Sequence, residues 1–229
     1  MNKEQRKIQA VVFDMAGTTI DEGNLVYQSV QHAMKLFGFA FTLDKIMVEI
    51  GGMSKREGIE QLLKANFPNR CNKLLVDKIF DAFRNGLEER YISDTSIKEM
   101  AGASDLFRWL RSKNIRIALN TGYFRSTVDI LIERMGWATE NLIDFSVASD
   151  EVEKGRPEPN MLNKISSEFQ VAPTHIAKVG DTISDINEGH NAGCAMVIGI
   201  TSAKYSKEDL RQLGATHTIS RLVELKELF

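Results

Sequence analysis

Ala10-Val11-Val12-Phe13-Asp14-Met15-Ala16-Gly17-Thr18-Thr19 is the stretch on which the fold turns. A continuous apolar run of this length reads as a strand buried on both faces, as in a parallel sheet. It stops at a carboxylate, then at a glycine and two hydroxyls, so the strand ends in a polar turn. Similar β-rich runs recur at 115–119, 145–148, 176–179 and 195–198, separated by helical patterns at 124–135, 160–169 and 185–192. Strand and helix alternating in this way predict an α/β fold, a parallel sheet with helices on both faces. Ligands of such sheets bind beyond the carboxyl ends of the strands. The positions to watch are therefore Asp14, Asn120-Thr121, Ser149-Asp150 and Asp181.

Residues 24–97 have a different rhythm, rich in helix formers and nearly free of strand patterns. They predict an inserted helical domain between core segments 1–23 and 98–229. Leu25, Val26, Ser29, Val30, Ala33, Met34 and Phe37 fall at helical spacing, as do Leu74, Leu75, Ile79, Phe80 and Phe83. These stripes are read as the insert's own core, with a homodimer face on the first helix as the second reading.

The whole chain has 229 residues, 43% hydrophobic and 26% charged, which is ordinary globular composition. Its net charge of -2 gives no basic field for nucleic acid or an anionic membrane. Cys71 and Cys194 lie in no disulfide or zinc pattern, and the N-terminal residues have no apolar segment behind their charges. The expectation is a cytoplasmic protein acting on small molecules, with neither a membrane nor a nucleic acid as partner.

Four groups of residues carry chemistry. Asp14 offers an anionic nucleophile or metal ligand beside a turn whose amides can approach a phosphate. Asn120-Thr121-Gly122 puts a hydroxyl at the end of a second strand. Gly155-Arg156-Pro157-Glu158-Pro159 sets a cation in a proline-braced loop. Gly180-Asp181-Thr182-Ile183-Ser184-Asp185 places two carboxylates four residues apart at a strand-to-helix turn.

In this order the four resemble the haloacid dehalogenase superfamily of phosphotransferases, whose motifs match Asp14 to Thr18, Thr121, Arg156, and Asp181 with Asp185. The resemblance spans nearly the whole chain. It implies a Rossmann-like core, an α-helical cap inserted after the first strand, and a Mg²⁺ ion held by Asp14, the Ala16 carbonyl and Asp181, with Asp185 close by. It further implies that Thr18 and Thr121 bind phosphoryl oxygens and that Arg156 offsets their charge.

Two departures narrow the resemblance. Most phosphatases of the superfamily carry an acid two residues after the nucleophile to protonate the leaving oxygen, and here that position is Ala16. General acid catalysis is worth ~10²–10⁴ in rate, so an ester hydrolase lacking it needs a substitute. The usual lysine of the third motif is Arg156. Both features are similar to the phosphonatase (phosphonoacetaldehyde hydrolase) family, which cleaves a carbon–phosphorus bond with a cap lysine forming a Schiff base. The resemblance puts that lysine at Lys55, in Ile50-Gly51-Gly52-Met53-Ser54-Lys55, and Tyr123 after Thr121-Gly122 also matches.

Ser54-Lys55-Arg56-Glu57 has the form of a capping box with Lys55 as the first helical residue. There the helix dipole and Arg56 both disfavour an ammonium, whereas Glu57 favours it if it reaches Lys55. Other family positions differ: Gly58 replaces a histidine, Gly51 a methionine, and Asn24 stands where some members have cysteine. The expectation is a Mg²⁺-dependent hydrolase of phosphonoacetaldehyde or a related small 2-oxo-phosphonate. A phosphomonoester hydrolase acting on a small metabolite or sugar phosphate is the alternative, and a regulatory or binding protein on the same fold is the non-enzymatic one.

Overall fold

The computed structural model describes residues 7–50 and 54–229. Its elements, in chain order, begin with β1 (Ala10–Phe13) and β2 (Ile20–Asp21). The helices α1 (Leu25–Leu36), α2 (Leu43–Ile50), α3 (Lys55–Asn66) and α4 (Lys73–Ser93) come next. Then follow β3 (Lys98–Glu99), α5 (Ala103–Ser112), β4 (Arg116–Asn120), α6 (Arg125–Arg134), β5 (Phe145–Val147) and α7 (Asn160–Phe169). The chain ends with β6 (Ile176–Gly180), α8 (Ile183–Ala192), β7 (Met196–Ile200), α9 (Lys207–Gln212) and β8 (His217–Ile219). The structure divides into two compact units, Glu22–Ser96 and the remainder.

The larger unit is a Rossmann-like α/β layer, as the alternating pattern predicts. Its six strands run parallel in the order β5-β4-β1-β6-β7-β8. β1 pairs with β4 on one side and β6 on the other, so the winding reverses beside it. That reversal opens a crevice at the carboxyl ends of these strands. Every residue of β1 is buried, which explains the unbroken apolar run. Ala10 and Val12 join Ala118, Val147, Met161, Leu162 and Ile165 in one core cluster. Phe13 meets Phe107 of α5 edge to face at 5.3 Å, and Phe107 meets Trp137 in the same way at 5.2 Å. β2 and β3 form a short antiparallel ribbon.

The smaller unit is helical. Leu25, Val26, Ser29, Val30, Ala33 and Met34 of α1 are buried in it, with α1 packed on α4. The stripe on α4 is shifted from the expected one: Val76, Ile79, Phe83, Leu87 and Tyr91 are buried, while Leu74 is 65% exposed. Leu74 lies in the first turn of α4, before the buried face begins. Among the described residues no helix is long and apolar enough to cross a membrane, and Cys71 and Cys194 are both free thiols.

Candidate active site

Asp14 follows β1 directly, and its amide donates to Val179 O of β6 at 2.9 Å, fixing the residue at the sheet's edge. The next residues fold into a tight turn in which the amides of Thr18, Thr19 and Ile20 all reach Met15 O. Thr19 Oγ1 donates to Asp14 O at 2.9 Å and braces the turn from within. Gly17 has φ +77°, and a Cβ there would lie 2.8 Å from Asp181 Oδ2. Glycine is thus required twice, by its backbone angle and by the close approach of a carboxylate. Thr18 Oγ1 points at Asp181 Oδ1, 3.5 Å away.

Asp181 and Asp185 come from the turn joining β6 to α8. Thr182 caps α8, and Asp185 closes the capping box by accepting from the Thr182 amide at 3.2 Å and from its hydroxyl. This local bond fixes one carboxylate oxygen; the other faces Lys178 Nζ at 2.9 Å and contacts Arg156 Nη1. Arg156 Nη1 also lies 2.9 Å from Asp14 Oδ1. The loop carrying Arg156 is tied to α8 by Asn191, whose amide donates to Pro157 O at 2.9 Å. On the β4 side, Thr121 is buried, its hydroxyl accepts from the Tyr123 amide at 3.3 Å, and Gly122 faces Arg156 Nη2.

Asp14, Asp181 and Asp185 offer carboxylate oxygens all within 4.8 Å of one another, close enough to hold a metal ion. Such crowding has an electrostatic consequence. Burial pushes Asp14 up to about 6, against the pull of Arg156. Burial, reinforced by Asp14 and Asp185, pushes Asp181 well above the usual carboxylate range. Burial opposes the charge on Asp185 too, but Arg156, Lys178 and Thr182 overcome it and hold this carboxyl low. Arg156 stays charged despite burial because Asp14 and Asp185 flank it. Two carboxyls of the cluster therefore lack a full countercharge, and an all-oxygen acidic set of this kind suits a hard divalent cation.

Other expected positions fall elsewhere. Ser149 Oγ donates to the carbonyls of Gly122 and Tyr123 at 3.0 Å, and Asp150 accepts from the Arg125 amide at 2.9 Å, so both hold the neighbouring loop in shape. Lys55 belongs to the helical unit. It opens α3 behind the N-cap Ser54, and its ammonium lies over the Tyr27 ring, 4.9 Å from the centroid. Ser54 Oγ accepts from the Glu57 amide at 3.4 Å, the N-cap half of the expected box, and donates to the Glu57 carboxylate at 2.8 Å. Asn24 is the N-cap of α1, with φ 65°. Gly51 lies outside the described residues. At Gly58 a Cβ would sit 2.7 Å from Ile50 Cβ, so the backbone leaves no space for the histidine of the resemblance.

Sequence reasoning passed over Lys178, Glu188 and, in its own right, Asn120. Lys178 and Glu188 are wholly buried and face each other at 3.5 Å. Asn120 bridges them, donating to Glu188 at 2.7 and 2.8 Å and accepting from Lys178 at 2.6 Å. The signal was a lysine inside the strand Ile176-Ala177-Lys178-Val179, where only a paired charge survives burial.

A parallel sheet reversing beside its central strand, with a carboxylate-bearing strand end facing an acidic turn, defines a class. The haloacid dehalogenase-like hydrolase family matches residues 11–199, and the chain belongs to it. Among curated proteins it is similar to phosphonoacetaldehyde hydrolase of Bacillus cereus strain G9842, 27% identical over 238 residues, covering 97% of this chain and 88% of that one. The phosphonoacetaldehyde hydrolase of Bacillus anthracis is likewise 27% identical over 242 residues, with the same coverage. Among solved structures, a HAD family hydrolase from Deinococcus radiodurans with bound phosphate and sodium superposes with a TM-score of 0.72, at 19% identity, covering 98% of this chain and 96% of that one. A predicted phosphoglycolate phosphatase from Haemophilus somnus reaches a TM-score of 0.82 at 16% identity, covering 96% and 97%. The solved structures share the fold.

Proposed function

We propose that this hydrolase cleaves the C–P bond of phosphonoacetaldehyde or a related small 2-oxo-phosphonate, with Asp14 as nucleophile. The observation that supports this most is the pairing of Asp14 with Arg156 in a buried acidic cluster whose position 16, two residues on, is an alanine. The cluster has an attacking group and a charge-offsetting cation, but no acid where an ester's leaving oxygen would be protonated. A carbanion leaving group needs an electron sink instead.

Lys55 supplies that sink. Its amine condenses with the substrate aldehyde and releases water, giving an imine that is protonated. Asp14 then attacks phosphorus; the C–P electron pair moves into the imine to give an enamine, and an aspartyl phosphate forms on Asp14. Water hydrolyses the aspartyl phosphate to inorganic phosphate, and protonation and hydrolysis of the enamine release acetaldehyde and free Lys55. Thr18 and Thr121 donate to phosphoryl oxygens, with Gly122 and Tyr123 lining the same end of β4. Arg156 offsets charge in the transition state, where a desolvated cation counts most. Mg²⁺, held by Asp14, the Ala16 carbonyl and Asp181 with Asp185 close by, would screen the phosphoryl charge from the attacking carboxylate.

A phosphomonoester hydrolase is the second reading, and Gly58 favours it, because the position has no room for the histidine that accompanies the lysine in phosphonatases. Inorganic phosphate release from phosphonoacetaldehyde, compared with a panel of small phosphate esters, separates the two. Turnover of the phosphonate well above every ester supports C–P cleavage; the reverse order supports the ester hydrolase.

A further inference from the structure

Below the acidic cluster runs a line of alternating charges: Glu188, Lys178, Asp185, Arg156, Asp14. Consecutive members are in contact, with Lys178 3.5 Å from Glu188 and 2.9 Å from Asp185, and Arg156 2.9 Å from Asp14. Lys178, Glu188 and Asn120 are wholly buried, and Asp185 is 1% exposed. No solvent screens these groups, so each fixes its neighbour's position strongly. The line also ties together three parts of the site: Asn120 ends β4 beside Thr121, Lys178 lies within β6, and Asp185 and Glu188 are one turn apart on α8.

We propose that Lys178, gripped by Glu188 and Asn120, is a positioning residue: it sets the Asp185 carboxylate, which in turn holds Arg156 against Asp14. The alternative for a buried lysine is a satisfied ion pair that serves the fold alone. The glycines argue for placement. A Cβ on Gly180 would overlap the Asp185 side chain, and one on Gly189 would lie 2.9 Å from Val197 and 3.3 Å from Lys178 Cβ. Asp185 and the root of the Lys178 side chain thus pack directly against glycine backbone, where any larger residue would displace them. This inference rests on the divalent-metal part of the proposed function and is independent of the substrate.

The decisive variant is Lys178→Met/Glu188→Gln, which removes one positive and one negative charge and leaves the site's net charge unchanged. The readout is Mg²⁺ affinity by calorimetry without substrate, alongside thermal melting. Supporting groups around metal ligands typically contribute 10–100-fold in affinity, so Kd is expected to rise at least tenfold in a protein that melts near the wild type. Lys178→Met alone separates placement from bulk charge. Losing a cation tightens Mg²⁺ binding if Lys178 is only a fixed charge, and weakens it if Lys178 places Asp185. Asn120→Ser, a smaller change, is expected to weaken binding severalfold and serves if the double variant does not fold. Wild-type affinity in a folded double variant, or tighter binding in Lys178→Met, overturns the proposal. Failure of the wild type to hydrolyse any phosphonate leaves this test intact, whereas absence of Mg²⁺ binding by the wild type removes its premise and overturns it.

Discussion

Arg156 Nη1 stands 2.9 Å from Asp14 Oδ1 and touches Asp185 with the same nitrogen, so one guanidinium links the end of β1 to the first turn of α8. Asp14 is buried all the same, and the cation offsets only part of the cost of its charge.

The first prediction concerns pH. A carboxyl with a pKa raised on folding binds its proton more tightly in the folded state, so the fold loses stability as pH rises from 3.8 to about 6. Asp14→Asn abolishes that loss. Without divalent ions, the variant should match the wild type below pH 4 and exceed it above pH 6, the gap opening as pH rises between the two. Denaturant melts across this range check it; a gap independent of pH contradicts it. Turnover by Asp14→Asn should be undetectable, because an amide is not a competent nucleophile.

The second concerns Ala16. Ala16→Asp adds a carboxylate next to three that already lie within 4.8 Å of one another. The native reaction should not speed up, since the new charge competes for the metal and repels the phosphoryl group. A large gain in native turnover, with the fold intact by circular dichroism, identifies an ester as the substrate.

The third concerns Gly58. Its Cβ would sit 2.7 Å from Ile50 Cβ. Gly58→Ala should cost about 1–3 kcal/mol by overpacking, and Gly58→His more, without any gain in turnover. Unchanged stability in Gly58→His contradicts this packing.

The sequence reveals what is local or periodic. The run ending at Asp14 shows a buried strand because both faces of β1 are covered, and Ser54 with Glu57 shows the start of α3 because the N-cap bond spans only four residues. β8 went unread because His217-Thr218-Ile219 is short, with two of its three residues polar, at the sheet's edge. Leu74 looked like core because helical spacing is uniform, whereas the burial of α4 begins only at Val76. The carboxylates and Arg156 stand out as polar residues in turns. Lys178 does not, because it lies inside a strand and one of its partners is remote in sequence: Asn120 is 58 residues away, on β4, with β1 between the two strands.

The central claim is that Lys55 takes part covalently, and one labelling experiment tests it most directly. The protein is treated with phosphonoacetaldehyde and borohydride, and its peptides are weighed. Reduction of an imine should inactivate the protein irreversibly and add the reduced two-carbon fragment or intact substrate to the peptide containing Lys55. Lys55→Arg, which keeps the charge but forms no such imine, should remain unlabelled and lose nearly all C–P cleavage. An unlabelled wild type, with Lys55→Arg still active, contradicts the imine and leaves the ester hydrolase as the function.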